Sequence, residues 1–239
     1  MEIKLTNLTK KYDDFIAVDN INLTIGNEIF ALLGVNGAGK TTTIKMMTGL
    51  TDITEGEIFY NTLSVKKDLN KLKEFINISP QESAIADNLT VKENILFISE
   101  IYGIEKQQAV EKTKEIISLF ELNSVENKKA KNLSGGMKRR LSIAMALVTK
   151  PKVLFLDEPT LGLDVIARSQ LWELIKNLKK DITIVLTTHY MEEAEQLADK
   201  VAIINNGKVI ESGTPEELKN KHNENSLEKA FIKIVKGEM

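Results

Sequence analysis

The 239-residue sequence contains no cysteine, no long apolar run and no signal-like start. Without cysteine, disulfides, thiolate metal sites and a cysteine nucleophile are excluded. The longest uninterrupted apolar stretch, residues 143–148, has six residues, whereas a membrane helix needs about 20. A basic segment followed by an apolar one, the pattern of a secretory signal, does not open the sequence.

A large excess of charge of one sign is also missing. The formal net charge is −2, which argues against a protein whose main task is to neutralise nucleic-acid phosphates. With 42% hydrophobic and 28% charged residues, the composition is that of an ordinary globular protein. We therefore expect a soluble intracellular globule.

The apolar pattern predicts a mixed α/β fold. Runs typical of strands lie at residues 3–5, 21–25, 29–33, 57–60, 153–156, 182–186, 201–204 and 208–210. Within residues 88–150 the apolar side chains recur at helical spacing, and Thr90 with Glu93 forms a capping-box signature. Asn206-Gly207 favours a hairpin. The pattern indicates an α/β core interrupted by a helical insertion.

A glycine-rich loop at residues 34–41, GVNGAGKT, fits the phosphate-loop pattern in full. Glycines let successive backbone N–H groups turn towards the phosphates of a nucleotide without a Cβ in the way. Lys40 supplies a positive charge, and the following helix presents its positive end to the same anion. The residues predicted to bind the nucleotide are Gly34, Asn36, Gly37, Ala38, Gly39, Lys40, Thr41 and Thr42.

An apolar strand at residues 153–158, VLFLDE, ends in two carboxylates. An unpaired buried charge is costly, and a hydrated Mg²⁺ beside Asp157 would offset that cost. Glu158 would then be placed to polarise or deprotonate a water that attacks the γ-phosphate. The alternative is a strand that simply reaches solvent at its C-terminal end.

A third motif, LSGGM at residues 133–137, precedes an amphipathic helix. Ser134 is a natural N-cap, and Gly135 and Gly136 at a helix N-terminus could form another anion site. Because no lysine accompanies it, we do not expect this motif to hold a nucleotide by itself. An ordinary helix cap is the alternative.

These motifs, in this order, resemble the nucleotide-binding subunit of an ABC transporter, over residues 12 to about 218. The resemblance implies an α/β fold with a P-loop NTPase (RecA-like) core, an N-terminal antiparallel β subdomain and an inserted α-helical subdomain. The expected division of this single ABC ATPase domain is 1–87 and 151–220 for β subdomain and core, 88–150 for helices and 221–239 for a helical tail. The resemblance also implies Mg²⁺-dependent ATP hydrolysis.

The resemblance assigns further roles. Gln81 would touch Mg²⁺ and sense a membrane partner, Asp164 would link two sites across an interface, and His189 would lie near the γ-phosphate. Tyr12 would stack on adenine, and Ser134 with its two glycines would reach the ATP on a second subunit. The implied catalytic residues are Lys40, Gln81, Glu158 and His189, and the implied Mg²⁺ ligands are Thr41, Gln81 and Asp157.

The implied partners are a transmembrane permease and a second ATP-binding subunit, identical or closely similar, and no nucleic acid. The implied location is peripheral, on the cytoplasmic side of the cell membrane. Residues 133–139 with 158–164 resemble the branch that exports drugs, peptides, lipids or sodium. A soluble ABC-type ATPase that transports nothing is the alternative function.

Several charged segments are interpreted as solvated surface. Residues 127–130, NKKA, lack the aspartate of a guanine-reading motif, so a GTP switch protein has no support. The basic cluster at residues 138–140 is interpreted as a solvated helix face. His222 and the tail rich in lysine and glutamate are interpreted in the same way.

Overall fold

A computed structural model describes residues 1–82, 84–180 and 182–237. In these residues the strands β1 to β10 lie at Ile3–Tyr12, Phe15–Ile25, Ile29–Leu33, Glu55–Tyr60, Leu63–Ser64, Ile76–Ser79, Val153–Asp157, Thr183–Thr188, Lys200–Asn205 and Lys208–Gly213. The α-helices α1 to α9 lie at Lys40–Met47, Val65–Leu72, Val91–Ile101, Lys106–Leu119, Gly135–Ala146, Val165–Leu178, Met191–Leu197, Pro215–Lys221 and Leu227–Lys236.

A six-stranded sheet in the order β10-β9-β3-β8-β7-β6 forms the centre of the fold. Five of its strands are parallel, and β10 pairs antiparallel with β9. Every residue of β3 is buried. Ile29, Ala31 and Leu33 face one hydrophobic core, and Phe30 and Leu32 face the other. A strand covered on both faces explains why residues 29–33 form a continuous apolar run.

A separate antiparallel sheet, in the order β2-β1-β4-β5, covers one face of the central sheet. Its strand β1 alternates between buried Ile3 and Leu5 and exposed Lys4, the pattern of a sheet with one solvated face. At the end of the β1–β2 hairpin, Tyr12 lies directly opposite Phe15. This places both aromatic side chains on the same face of the hairpin.

Helices α3, α4 and α5 form a unit that packs on the other core. The predicted capping box at the start of α3 is present: the Glu93 backbone N–H donates to Thr90 Oγ1 at 3.1 Å, and the Thr90 N–H donates to Glu93 Oε2 at 2.7 Å. Ser134 caps α5 by accepting from the Met137 N–H at 3.3 Å. The start of α5 is thereby fixed at the surface of the fold.

Two interpretations of solvated surface are wrong. Arg139 is only 7% exposed, because it lies on the side of α5 that faces the central sheet, whereas Lys138 and Arg140 are half-buried. The tail forms α9, which buries Leu227, Phe231 and Ile234, since its apolar residues share one face. His222, which belongs to the same interpretation, is also largely covered: its side chain is 12% exposed, and its Nε2 lies 2.9 Å from Glu211 Oε2. Among the described residues, no helix is long and apolar enough to cross a bilayer.

Candidate functional site

The glycine-rich loop connects the end of β3 to the start of α1. Lys40 Nζ turns back over this loop and donates to the carbonyl oxygens of Gly34 at 2.8 Å and Val35 at 3.0 Å. Burial lowers the pKa of Lys40, although the nearby carboxylates of Glu158 and Asp157 oppose that shift. The loop thus holds a buried cation at the N-terminus of a helix, where an anion is favoured.

Two of the glycines are required by close backbone packing. A Cβ at Gly34 would lie 2.3 Å from the carbonyl oxygen of Ile204. Gly39 has a φ of +104°, and a Cβ there would lie 2.5 Å from the carbonyl oxygen of Ala17. Only glycine fits both positions, so the sequence pattern has a steric cause.

Asp157 lies at the C-terminal end of β7, next to the loop. Its Oδ1 accepts from Thr41 Oγ1 at 3.0 Å and also from the hydroxyl of Thr187. Thr187 stands opposite Asp157 in the parallel β7–β8 ladder, so the sheet itself brings the two side chains together. The carboxylate is buried, at 4% exposure, and its hydrogen bonds offset the cost of that burial.

Glu158, the next residue, is turned into the cleft by an uncommon backbone conformation. Its φ is +45°, in the left-handed region that non-glycine residues seldom adopt. Its backbone N–H donates to Thr187 Oγ1 at 2.9 Å. Its Oε1 lies 3.2 Å from His189 Nδ1 and 3.7 Å from Lys40 Nζ. The strained turn therefore places a carboxylate between a lysine and a histidine.

A cleft of about 450 Å³ opens above these groups. Nine of the predicted site residues line this cleft: Asn36, Gly37, Gly39, Lys40, Thr41, Thr42, Gln81, Glu158 and His189. Gly34 and Ala38 are buried in the loop, and Asp157 lies beneath the cleft, bonded to Thr41.

The cleft has an aromatic lining residue that the sequence analysis did not name. Phe15 and Ala17 line the cleft, whereas Tyr12 is not among its lining residues. The Tyr12 ring lies 4.8 Å from Lys10 Nζ. Sequence reasoning overlooked Phe15, although an aromatic directly after the Asp13-Asp14 turn must lie opposite Tyr12 in a tight hairpin.

Ser134 and Asp164 lie outside the cleft of their own chain. Both are exposed N-caps: Ser134 starts α5, and Asp164 starts α6 by accepting from the Ala167 N–H at 2.9 Å. The two helix starts are neighbours, because a Cβ on Gly136 would lie 3.1 Å from Ala167 Cβ. The structure therefore gathers Ser134, its glycines and Asp164 on one surface, apart from the loop of Lys40.

Arg139 connects α5 to the cleft and was overlooked by sequence reasoning. Its guanidinium donates to three backbone carbonyls: Nε to Pro159 at 2.9 Å, Nη1 to Pro80 at 2.6 Å and Nη2 to Asp157 at 2.8 Å. Burial lowers its pKa to about 10, so it remains charged at neutral pH. One side chain thus fixes the segments that carry Gln81 and Glu158.

The oxygen atoms beside the loop suit a magnesium ion. Thr41 Oγ1 and Asp157 Oδ1 are hard ligands at 3.0 Å from each other. The described part of the chain holds no cluster of three or more acidic, histidine or cysteine side chains that could bind a metal. A Mg²⁺ ion that also binds substrate phosphates needs only one or two carboxylates, so the residues present fit this ion.

The ABC transporter family profile matches residues 18–161 of the chain. The human phospholipid-transporting ATPase ABCA3 is 40% identical over 225 residues, which are 92% of this chain and 13% of that protein. The Escherichia coli probable multidrug ABC transporter ATP-binding protein YbhF is 38% identical over 240 residues, 98% of this chain and 41% of that protein. The chain thus spans less than half the length of either curated relative.

Solved structures show the same architecture. The ATP-binding cassette MJ0796, described as a dimer in a post-hydrolysis state bound to ADP and Pi, superposes with a TM-score of 0.79 at 26% identity. The match covers 89% of this chain and 98% of that one. The predicted fold class, a P-loop NTPase core with an antiparallel β subdomain and a helical insertion, is confirmed.

Proposed function

The chain belongs to the ABC transporter family, and from that premise we propose that it is an ATP-binding subunit whose Mg²⁺-dependent ATP hydrolysis drives export through a separate transmembrane partner. The observation that supports this function best is the convergence of Lys40, Thr41, Asp157, Glu158 and His189 on one cleft and its floor. A phosphate-binding loop, two acids and a histidine suit phosphoryl transfer to water.

In the proposed reaction, the backbone N–H groups of the loop and Lys40 bind the β- and γ-phosphates. Mg²⁺, held by Thr41 and Asp157 with Gln81 at the edge, would neutralise phosphate charge. Glu158 accepts a proton from a water whose oxygen bonds to the γ-phosphorus, while the bond from that phosphorus to the β-phosphate oxygen breaks. The products are ADP and inorganic phosphate. His189, 3.2 Å from Glu158 Oε1, orients the carboxylate.

The loop binds the triphosphate from one side only. Ser134, Gly135 and Asp164 are exposed and outside their own cleft, so they are free to close the cleft of a second subunit. We propose that ATP is held between two such chains, identical or closely similar, and that hydrolysis weakens the contact. The dimer described for MJ0796 with ADP and Pi supports this arrangement.

Closure of two chains would move a transmembrane partner between two shapes. The names of the two relatives refer to phospholipid transport and to multidrug transport, which supports the exporter assignment for drugs, peptides, lipids or sodium. Gln81 is exposed at the rim of the cleft, where it can contact both Mg²⁺ and a partner. The proposed location is the cytoplasmic face of the cell membrane, held there by that partner.

For the base of the nucleotide, we propose contact with Phe15 as well as Tyr12. Their positions opposite each other in the β1–β2 hairpin put both rings on one face. Both rings are substantially exposed, at 64% for Phe15 and 45% for Tyr12. An exposed aromatic face at the cleft suits stacking on adenine.

The substitution Glu158→Gln tests the proposed function, because it keeps the size of the side chain and removes the proton acceptor. The rate of phosphate release should fall by about 10²–10⁴-fold, while ATP still binds. With ATP the variant should accumulate as a dimer in light scattering. Glu173→Gln is the matched control, since that carboxylate is 70% exposed on α6, and it should hydrolyse ATP at the wild-type rate.

Two outcomes would contradict the proposal. Wild-type turnover in Glu158→Gln would remove Glu158 from the role of base. A variant that stays monomeric with ATP, both alone and with its membrane partner, would exclude closure between two chains.

A further inference from the structure

Glu193 is a fully buried carboxylate on α7, at 0% exposure, and none of the chemistry proposed above uses it. Its Oε1 accepts from Thr160 Oγ1 at 2.8 Å and from Trp172 Nε1 at 3.1 Å. Burial raises the pKa of Glu193, against the opposing effects of the Thr188 and Thr160 hydroxyls and the Trp172 indole. Because burying an acid is costly, a glutamate at this buried position needs a structural or functional explanation.

The three hydrogen-bonded residues lie on three segments that meet the cleft. Thr160, itself 0% exposed, lies between Glu158 and Asp164 in the loop after β7. Within that loop, the Leu161 N–H donates to the Glu158 carbonyl at 3.2 Å and the Leu163 N–H to the Thr160 carbonyl at 3.1 Å. The Thr160 hydroxyl therefore anchors a turn whose two ends carry a catalytic acid and an interface aspartate.

The segments that carry Trp172 and Glu193 meet beside Thr160. Trp172 is on α6, the helix that Asp164 caps, and Glu193 follows His189 by four residues. One turn before Trp172, Arg168 lies with its guanidinium carbon 4.8 Å from the Tyr190 ring centre. Its Nε has no hydrogen-bond partner in the described residues. The contact of α6 with the segment of His189 is thus dense and polar at its centre.

We propose that Glu193 is a positioning residue for ATP hydrolysis, which sets the geometry of Glu158 and Asp164 through the Thr160 hydroxyl and couples both to the segment of His189. The inference rests on the proposed ATPase function. Glu193 touches neither nucleotide nor water in this role. Its effect is to hold the strained backbone turn at Glu158, where φ is +45°, in a fixed position relative to His189.

The experiment compares four variants of the full chain in steady-state ATPase assays with Mg²⁺. Glu193→Ala removes the acceptor, and Thr160→Val removes only the donor on the loop while it keeps the side-chain volume. Glu193→Gln keeps an oxygen that can accept from both donors. Glu173→Ala is the matched control, since this carboxylate next to Trp172 on α6 is 70% exposed and pairs with Lys176 at the surface.

The expected result is a split between kcat and KM. Thr160→Val and Glu193→Ala should lower kcat by about 10- to 100-fold through misplacement of Glu158, with KM for ATP changed less than about twofold because uniform binding is kept. Glu193→Gln should restore kcat to within about threefold of wild type, by the same reasoning. Glu173→Ala should match the wild type.

The only tryptophan of the chain is Trp172, so its emission reports this contact directly. In Thr160→Val the indole keeps its bond to Glu193, and its emission maximum should stay at the wild-type wavelength while kcat falls. That combination separates misplacement of the loop from general loss of packing. If Glu193→Ala does not fold, Thr160→Val still decides the question.

Two failures are distinguishable. A wild-type chain that hydrolyses no ATP, alone or with its partner, contradicts the proposed function. A wild-type chain that does hydrolyse ATP, with unchanged kcat in Thr160→Val and in folded Glu193→Ala, overturns the role of Glu193 and leaves the proposed function intact. A fall in Tm in both variants without any change in kcat would also overturn the role of Glu193 in positioning.

Discussion

Replacement of Arg139 by alanine should destabilise the chain far more than replacement of the neighbouring Lys138 by alanine. Arg139 donates to the backbone carbonyls of Pro159, Pro80 and Asp157, and the bonds to Pro159 and Asp157 are buried. A buried acceptor left without a donor costs about 1–3 kcal/mol. Two such losses give about 2–6 kcal/mol, a large part of the 5–15 kcal/mol typical of a folded domain.

The assay is urea unfolding followed by circular dichroism, with thermal melting as a second measure. For a chain of this length, each kcal/mol corresponds to about 2–4 °C, so Tm should fall by at least about 4 °C. Lys138→Ala is the matched control on the same helix, since Lys138 pairs with Asp87 at the surface, with side-chain exposures of 35% and 61%. Such pairs contribute about 0–1 kcal/mol.

Arg139→Lys adds a second comparison, because an ammonium cannot span three carbonyls as a planar guanidinium does. It should recover only part of the lost stability. If Arg139→Ala and Lys138→Ala unfold within about 1 kcal/mol of each other, the carbonyls around Arg139 are satisfied without it, and the reasoning is refuted.

Three further predictions concern the nucleotide cleft. Because burial lowers the pKa of Lys40, this lysine loses its charge at a lower pH than an ordinary lysine does. The affinity of the chain for a fluorescent ATP analogue should therefore fall as the pH rises towards 10.5. The variant Lys40→Arg stays charged and should not show this fall. Gly39→Ala should lower the free energy of unfolding by about 1–3 kcal/mol, because a Cβ at this position would lie 2.5 Å from a carbonyl oxygen. Gly37→Ala should lower it less, since a Cβ there would meet nothing within 4 Å. Phe15→Ala and Tyr12→Ala should each weaken ATP binding by about 1–3 kcal/mol and leave tripolyphosphate binding unchanged in calorimetry; equal losses for both ligands would contradict base stacking.

Local signals in the sequence were enough to predict much of the cleft. The phosphate loop could be identified because its glycines, lysine and threonine act through backbone geometry within eight consecutive residues, 34–41. The capping box at Thr90 and Glu93 is likewise formed between residues three apart. The acids at the end of β7 were visible because an apolar run is seldom followed by two carboxylates.

Contacts between distant segments escaped the same reasoning. Arg139 belongs to a basic run that predicts a solvated face, yet its guanidinium reaches Pro80, 59 residues away. Phe15 lines the cleft because a hairpin turns it towards the phosphate loop. Glu193 looks like one acid in a charged helix, and its burial against Trp172 has no local signature.

The sequence alone determined the features that depend on neighbouring residues: the phosphate loop, the helix caps and the strand that ends in Asp157 and Glu158. Backbone conformation and capping are settled within one turn of chain, so a short pattern suffices to specify them. Only the tertiary structure decided which charged residues are buried and which carbonyls and hydroxyls they bind. That outcome depends on how α5, α6 and α7 pack against the parallel sheet, and such packing joins residues 20 to 60 positions apart.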